Sequence, residues 1–148
     1  MACSPVAIRT AMKRKIAAIL AADIAGFSKL VAEDEEGALE RLGVARDHFV
    51  TTIDQFGGRV FNEAGDSILA EFASAVDALR CAVEVQQHFR NEARQEPSES
   101  RMLYRIGLTI GDVVERDGNL LGDAVNVAAR LESLAKPGGI CISRSVHE

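Results

Sequence analysis

Cysteine is scarce in this sequence, and its occurrences are far apart. Cys3, Cys81 and Cys141 are the only three among 148 residues, which is too few and too scattered for a disulfide framework or a zinc knuckle. Cys81 lies in a helical pattern and Cys141 in a strand pattern. We therefore predict that both are reduced, buried thiols and that the protein is cytoplasmic.

Positive charge and long apolar runs are missing as well. The formal net charge is -5, whereas a general electrostatic grip on nucleic acid needs a basic surface. No segment approaches the roughly 20 apolar residues that span a bilayer. The sequence therefore predicts neither a nucleic-acid partner nor a membrane segment, although an acidic protein can still bind one nucleotide through a metal ion.

Patterns that mark several other kinds of site are also absent. His48, His88 and His147 do not have the spacing of metal ligands. No Ser or Cys has a recognisable base partner in the sequence, so nucleophilic catalysis has no support. Gly107 and Gly111 are not followed by the phosphate-binding turn of a dinucleotide fingerprint.

The patterns that are present fill one domain. Residues 1–14 are predicted to be a loose, mildly basic lead-in and residues 15–148 a single domain, without repeat, linker or low-complexity tract. The predicted order of elements is β-α-α-β-β-α-β-β-α-β. Hairpins mixed with helices predict an α+β, ferredoxin-like sandwich, in which helices cover a mostly antiparallel sheet.

Local patterns predict the individual elements. Residues 16–22 form a continuous apolar run, typical of a central strand covered on both faces. Runs 59–63 and 67–72 flank a glycine turn and predict a β-hairpin. Ser74 is expected to cap a helix. The residues expected on the core faces of the three long helices are Leu39, Leu42, Ala45, Phe49, Ile53 and Phe56, then Val76, Leu79, Val83 and Phe89, then Val127, Leu131 and Leu134.

Two aspartates are predicted to meet at one edge of the sheet. Asp23 ends the first apolar run, and Asp66 lies at the hairpin tip. If the hairpin pairs beside the first strand, the carboxylates converge and suit hard divalent cations. The following loop, with Gly26, Phe27 and Ser28, opens a helix whose N–H groups could bind phosphate. The alternative is that the two aspartates are only a helix cap and a turn residue.

A second candidate cluster lies on the last long helix. Asp123, Asn126 and Arg130 share one helical face at steps of three and four residues. A planar arginine suits a phosphoryl group that develops charge, and Asn126 could hold a sugar oxygen. The alternative is a solvated helix face with an intrahelical contact between Arg130 and Asp123 or Asn126.

Taken in order, these segments resemble the class III nucleotidyl cyclases, the catalytic domains of adenylate and guanylate cyclases. The resemblance is carried by four motifs, which are "AAILAADIAGFSKL", "GGRVFNEAGDSILAEF", "RIGLTIGDVV" and "LLGDAVNVAARLESLAKPGGICIS". They cover the chain from about Lys15 to Ser145 in the family's order. The family domain usually continues for a few tens of residues after a segment like "CISRSVHE", so the resemblance implies a C-terminally shortened cyclase fold that lacks its last strands.

The resemblance also implies a reaction and the residues that perform it. The ribose 3′-hydroxyl of ATP attacks the α-phosphate and yields 3′,5′-cyclic AMP and pyrophosphate. Two Mg²⁺ or Mn²⁺ ions are expected on Asp23 and Asp66, with help from the backbone carbonyl of Ile24. Asn126 matches the residue that orients the ribose, and Arg130 matches the one that stabilises charge on the α-phosphate.

Two further expectations concern the base and the partner chain. In the family, two positions that usually carry a charged residue contact the base. Here they are occupied by Asn62 and Asn119, so both differences from the family remove a charge. The resemblance implies ATP as substrate, with GTP, an unselective site or a catalytically weak nucleotide-binding or dimerisation module as alternatives. Family members work as dimers in which the metal aspartates and the Asn/Arg helix come from different chains, so a homodimer is expected.

Overall fold

The computed structural model describes residues 12–147. The elements, in chain order, are β1 (Met12–Ile24), α1 (Phe27–Glu33), α2 (Glu35–Gln55), β2 (Arg59–Ala64), β3 (Ser67–Phe72), α3 (Ala75–Ala93), β4 (Tyr104–Arg116), β5 (Asn119–Leu121), α4 (Asp123–Leu134), β6 (Ile140–Ile142) and α5 (Arg144–His147), with a 3₁₀ turn at Ser98–Ser100. The predicted order of strands and helices is confirmed, and one short helix follows it.

Strand β1 is the centre of the sheet, and it explains the continuous apolar run. Its even-numbered residues from Ala18 to Ile24 join one core cluster, whereas Ala17, Ile19 and Ala21 join the other. Both faces are therefore buried from Ala17 to Ala22, as the run predicts, whereas Ile16 at its start is 69% exposed. The strand begins at Met12, because β4 pairs with it along its whole length. The prediction of a loose lead-in is wrong for residues 12–14, and residues 1–11 lie outside the described part.

The sheet is mostly antiparallel, as predicted. Its order is β2-β3-β1-β4-β5, with antiparallel pairing throughout, and β6 adds to β4 in parallel at residues 106–108. The sheet curls, and Arg59 on β2 donates a hydrogen bond of 2.8 Å to the carbonyl of Gly118, just before β5. The two end strands thus approach each other around the face that carries α4.

Helices α1, α2 and α3 cover one face of the sheet, and α4 covers the other. The predicted cap of α3 is confirmed, since the Ser74 hydroxyl accepts a hydrogen bond from the Asp77 N–H at 3.3 Å. Within residues 12–147, no helix combines the length and the apolar character needed to cross a bilayer.

The predicted core faces of α2 and α3 are only partly correct. In α2, Leu39 is 52% exposed and the other predicted residues pack into the core. In α3, Val76 and Val83 are 59% and 41% exposed, while Phe89 is buried. The polar Gln86 is buried instead, because its amide donates to the carbonyls of Tyr104 and Gly139. The sequence pattern could not show these partners, which come from β4 and from the segment before β6.

The predicted core face of α4 is wrong. Leu134 is 74% exposed, and Val127 and Leu131 are half-buried. Ala124 and Ala128 face the sheet, because α4 lies directly on Gly107 of β4 with no room for large side chains. A Cβ atom at Gly107 would lie 2.3 Å from the carbonyl oxygen of Ala128.

The two cysteines of the described segment differ in burial. Cys81 is fully buried in α3, as predicted, whereas Cys141 on β6 is only half-buried. The prediction of a buried thiol is therefore wrong for Cys141, because β6, which within residues 12–147 pairs with β4 alone, lies at the margin of the sheet. Cys3 lies outside the described residues.

Candidate active site

The structure brings the hairpin tip against the end of β1. Strand β3 pairs with β1 up to Ala22 opposite Ile68, so the turn before β3 lies beside Asp23. The Oδ2 atom of Asp66 accepts a hydrogen bond of 2.9 Å from the backbone N–H of Ile24. The Asp66 carboxylate thus lies beside the backbone of the residue that follows Asp23, at the edge where the sequence predicts that the two aspartates meet.

The Asp23 carboxylate is paired with an arginine from the neighbouring strand. Arg105 on β4 lies directly opposite Asp23 in the register, and its Nε and Nη2 donate to Oδ1 and Oδ2 at 2.9 and 2.6 Å. This hydrogen bonding raises the pKa of Arg105 above its ordinary value, although burial opposes the shift. Both oxygens of Asp23 thus have a positively charged partner.

A third carboxylate completes this group from α4. The Oε2 atom of Glu132 lies 3.6 Å from Nη2 of Arg105, and the Glu132 side chain is only 11% exposed. Burial, together with the negative charge of Asp23, raises the pKa of Glu132 to about 7. Gly107 permits this approach, because a Cβ atom there would lie 2.3 Å from the Glu132 nitrogen.

Sequence reasoning missed both Arg105 and Glu132. Arg105 lies in the motif "RIGLTIGDVV", which predicts a strand, and Glu132 lies two positions after Arg130 on a predicted helix. Neither residue therefore stood out in the sequence as part of a site. Only the β1–β4 register and the position of α4 make them neighbours of Asp23. A hydrophilic residue in an otherwise buried strand was the one available signal for Arg105.

The predicted phosphate loop follows Asp23 directly. Gly26 has a left-handed backbone, with φ of 68°, and its carbonyl accepts hydrogen bonds from the N–H groups of Lys29 and Leu30 at 3.1 and 3.2 Å. Phe27 and Ser28 form the first turn of α1, where Phe27 packs against the core and Ser28 is exposed. This loop and the two aspartates thus share one end of the sheet.

The residues predicted on α4 remain at the surface. Asn126 and Arg130 are exposed, and within residues 12–147 neither side chain makes a hydrogen bond or an ion pair. The alternative of an intrahelical contact with Asp123 is therefore not formed in the described segment. The structure does not bring this pair into contact with Asp23 or Asp66 in the same chain.

The two residues predicted to read the base lie on the end strands of the sheet. Asn62 is exposed on β2, next to a shift in register that falls between Val60 and Asn62. Asn119 begins β5, and its Oδ1 accepts a hydrogen bond of 2.9 Å from the N–H of Leu120. The Asn119 amide thus has its oxygen engaged and its N–H₂ group available.

The donor atoms at this edge fit a hard cation only in part. In the described segment, no three His, Cys, Asp or Glu side chains are grouped closely enough to hold a metal ion. Asp23 and Asp66 supply carboxylate oxygens of the type that Mg²⁺ and Mn²⁺ prefer, and two carboxylates leave coordination positions open for phosphate and water.

Comparisons with known proteins identify a family and several relatives. The family model described as adenylate and guanylate cyclase catalytic domain matches residues 10–148. A putative adenylate cyclase 3 of Rhizobium meliloti (strain 1021) is 42% identical over 142 residues, which are 95% of this chain and 24% of that protein. An adenylate cyclase of Streptomyces coelicolor is 29% identical over 131 residues, which are 86% of this chain and 32% of that one.

A solved structure extends the likeness to three dimensions. The protein in the crystal structure of an adenylate/guanylate cyclase/hydrolase from Silicibacter pomeroyi is 46% identical, with a TM-score of 0.86 over 92% of this chain and 80% of that chain. This match confirms the predicted α+β fold. The chain spans about a quarter and a third of the length of the two named relatives.

Proposed function

Because this chain belongs to the family of adenylate and guanylate cyclase catalytic domains, we propose that it converts ATP into 3′,5′-cyclic AMP and pyrophosphate. The observation that carries the proposal is the hydrogen bond from the Ile24 N–H to Asp66, which holds a second carboxylate beside Asp23. In the reaction, the bond between the 3′-oxygen and the α-phosphorus forms, the bond from the α-phosphorus to pyrophosphate breaks, and the 3′-hydroxyl proton passes to water.

The metal ligands in this proposal are Asp23, Asp66 and the backbone carbonyl of Ile24. They would hold two Mg²⁺ or Mn²⁺ ions, which when bound would supply Lewis-acid stabilisation of the triphosphate and of the 3′-oxygen. Asp66 is held in place by the Ile24 N–H at 2.9 Å, so its free oxygen is oriented before any ligand arrives. The Gly26 loop, with Phe27 and Ser28, would offer backbone N–H groups to the phosphates.

The remaining chemistry is assigned to helix α4. Arg130 would stabilise the negative charge that develops on the α-phosphate, and Asn126 would orient the ribose. Both side chains are exposed, and neither is paired with Asp23 or Asp66 of its own chain within the described residues. This exposure supports a homodimer in which each site combines the aspartates of one protomer with the Asn126–Arg130 surface of its partner.

A guanylate or unselective cyclase is a second candidate. Asn62 and Asn119 would contact the base, and an amide can both donate and accept. The Oδ1 atom of Asn119 already accepts from Leu120, so this side chain offers donors, which suit the O6 acceptor of guanine. ATP is proposed first because the relatives at 42% and 29% identity are named adenylate cyclases.

The test is to incubate the purified chain with ATP or GTP and Mn²⁺ and to identify cyclic nucleotides by mass spectrometry. Product from ATP alone supports the first candidate, and product from GTP or from both supports the second. Nucleotide binding without any product contradicts both and leaves a catalytically weak module. Asp23→Asn and Arg130→Ala are each expected to lower turnover by roughly 10²–10³-fold.

Mixing the two variants tests the shared site. In an equal mixture, half of the dimers are heterodimers with one intact site, so about a quarter of the wild-type activity should return. The matched controls are Asp54→Asn and Arg80→Ala, whose side chains are exposed on α2 and α3 away from the site. If heterodimers form and no activity returns, the shared-site arrangement is wrong.

A further inference from the structure

Arg105 occupies both oxygens of Asp23, the carboxylate proposed as a metal ligand. The bidentate contact is short at both ends, 2.9 and 2.6 Å, and the two side chains are only 28% and 19% exposed. A guanidinium in this place repels an incoming divalent cation and competes with it for the same oxygens. The arginine and a divalent cation therefore compete for this carboxylate, and the cation binds more tightly once the arginine releases an oxygen.

A second acceptor for this arginine is already in place. Glu132 Oε2 lies 3.6 Å from Nη2 of Arg105, so a movement of about 1 Å would bring the two atoms to charge-assisted hydrogen-bonding distance. Ser133 donates one long hydrogen bond, of 3.4 Å, to the same oxygen of Glu132. The ionised Glu132 carboxylate therefore keeps acceptor capacity beside Arg105.

We propose that Arg105 is a displaceable counter-ion, which holds Asp23 in the metal-free protein and passes to Glu132 when a divalent cation binds. This inference rests on the proposed function, because it takes Asp23 as a metal ligand. Arg105 and Glu132 are then positioning residues, which act on the cation through Asp23.

The charges of Asp23, Arg105 and Glu132 support this exchange, in which Arg105 passes from Asp23 to Glu132. Two carboxylates share one guanidinium, so the arginine has a partner both before and after the cation arrives. Without Glu132, release of Arg105 would leave a half-buried positive charge without a partner beside a divalent ion, which is strongly unfavourable. Glu132 is kept near Arg105 by the close contact of α4 with Gly107, so the second acceptor is a built part of the fold.

The experiment measures binding of Mn²⁺ alone, by the loss of the free-ion electron paramagnetic resonance signal, at pH 8 without nucleotide. In Glu132→Gln, Arg105 loses its second acceptor, and the Kd for Mn²⁺ is expected to rise several-fold, to about tenfold. Adding Arg105→Met to Glu132→Gln removes the competitor and should return the Kd to the wild-type value or below it. The control is Glu115→Gln on the same strand, whose partner is Lys15 at 3.0 Å, and its Kd should not change.

A second variant guards against a folding defect in Glu132→Gln. Arg105→Lys carries the same charge but cannot hold both Asp23 oxygens, so it should bind Mn²⁺ more tightly than the wild type. The exchange is overturned if Glu132→Gln keeps the wild-type Kd, or if the double variant binds as weakly as Glu132→Gln, since Glu132 would then be a ligand or a support.

Asp66→Asn separates this inference from the proposed function. Loss of Mn²⁺ binding in Asp66→Asn, together with an unchanged Kd in Glu132→Gln, refutes only the exchange. Equal Mn²⁺ binding in Asp66→Asn and the wild type, or no binding in either protein, refutes the aspartate site and the exchange with it.

Discussion

Replacing Gly107 by alanine is expected to force helix α4 away from the sheet. The new Cβ atom would lie 2.3 Å from the carbonyl oxygen of Ala128 and 2.3 Å from the nitrogen of Glu132. Ordinary contacts of a carbon atom begin near 3.5 Å, and both opposing atoms belong to the helix backbone, which cannot rotate away. The helix must therefore move by about 1 Å, or the strand must bend.

The size of the effect follows from two opposing contributions. Overpacking costs about 1–3 kcal/mol, and the rigid backbone contact places this substitution near the upper end. The loss of glycine also reduces the freedom of the unfolded chain, which stabilises by roughly 0.4–1 kcal/mol. The net free energy of unfolding should fall by about 2 kcal/mol, and the Tm by about 4–8 °C for a domain of this size.

Urea denaturation followed by circular dichroism measures this change. The matched control is Gly111→Ala on the same strand under the same helix, where the new Cβ atom would lie 3.2 Å from the Ala124 side chain. This contact is relieved by a few tenths of an ångström, so Gly111→Ala should unfold within about 0.5 kcal/mol of the wild type. Equal unfolding midpoints for the two variants would refute the close-contact reasoning.

Three further predictions concern single side chains. Asp66→Asn keeps an acceptor for the Ile24 N–H and should unfold at the same urea concentration as the wild type, whereas Asp66→Ala should lower the free energy of unfolding by about 1 kcal/mol. Equal urea midpoints for the two variants would contradict the hydrogen bond at 2.9 Å. Burial raises the pKa of Cys81 to about 12, so at pH 8 iodoacetamide should label Cys141 much faster than Cys81, as peptide mass spectrometry can show. Burial, and then the neighbouring imidazole of His88, lower the pKa of His48 below 6.5. Because the unfolded chain binds that proton more readily, the free energy of unfolding should fall as the pH falls through 6.5. A urea midpoint that drops equally in the wild type and in His48→Phe between pH 7.5 and 5.5 would refute this.

Much of the fold follows from local patterns in the sequence. The run at residues 16–22 predicts a strand buried on both faces, and the glycine turn before Asp66 predicts the hairpin, because both signals depend on neighbouring residues only. The Ser74 cap is local in the same way. The position of Asp66 beside the end of β1 could be expected as well, since a hairpin beside the first strand brings its tip to that strand's end.

The partners of those aspartates depend on contacts that no local pattern encodes. Arg105 meets Asp23 only because β1 and β4 pair in one particular register, and a shift of one residue would turn the arginine to the other face. Glu132 joins them only because α4 lies on Gly107, a contact set by the packing of helix against sheet. The sequence by itself thus determined the helices and strands and the candidate metal ligands, whereas the tertiary structure decided which charged side chains lie beside those ligands. The physical reason is that the interaction between two charges depends on their separation in space and not on their separation along the chain.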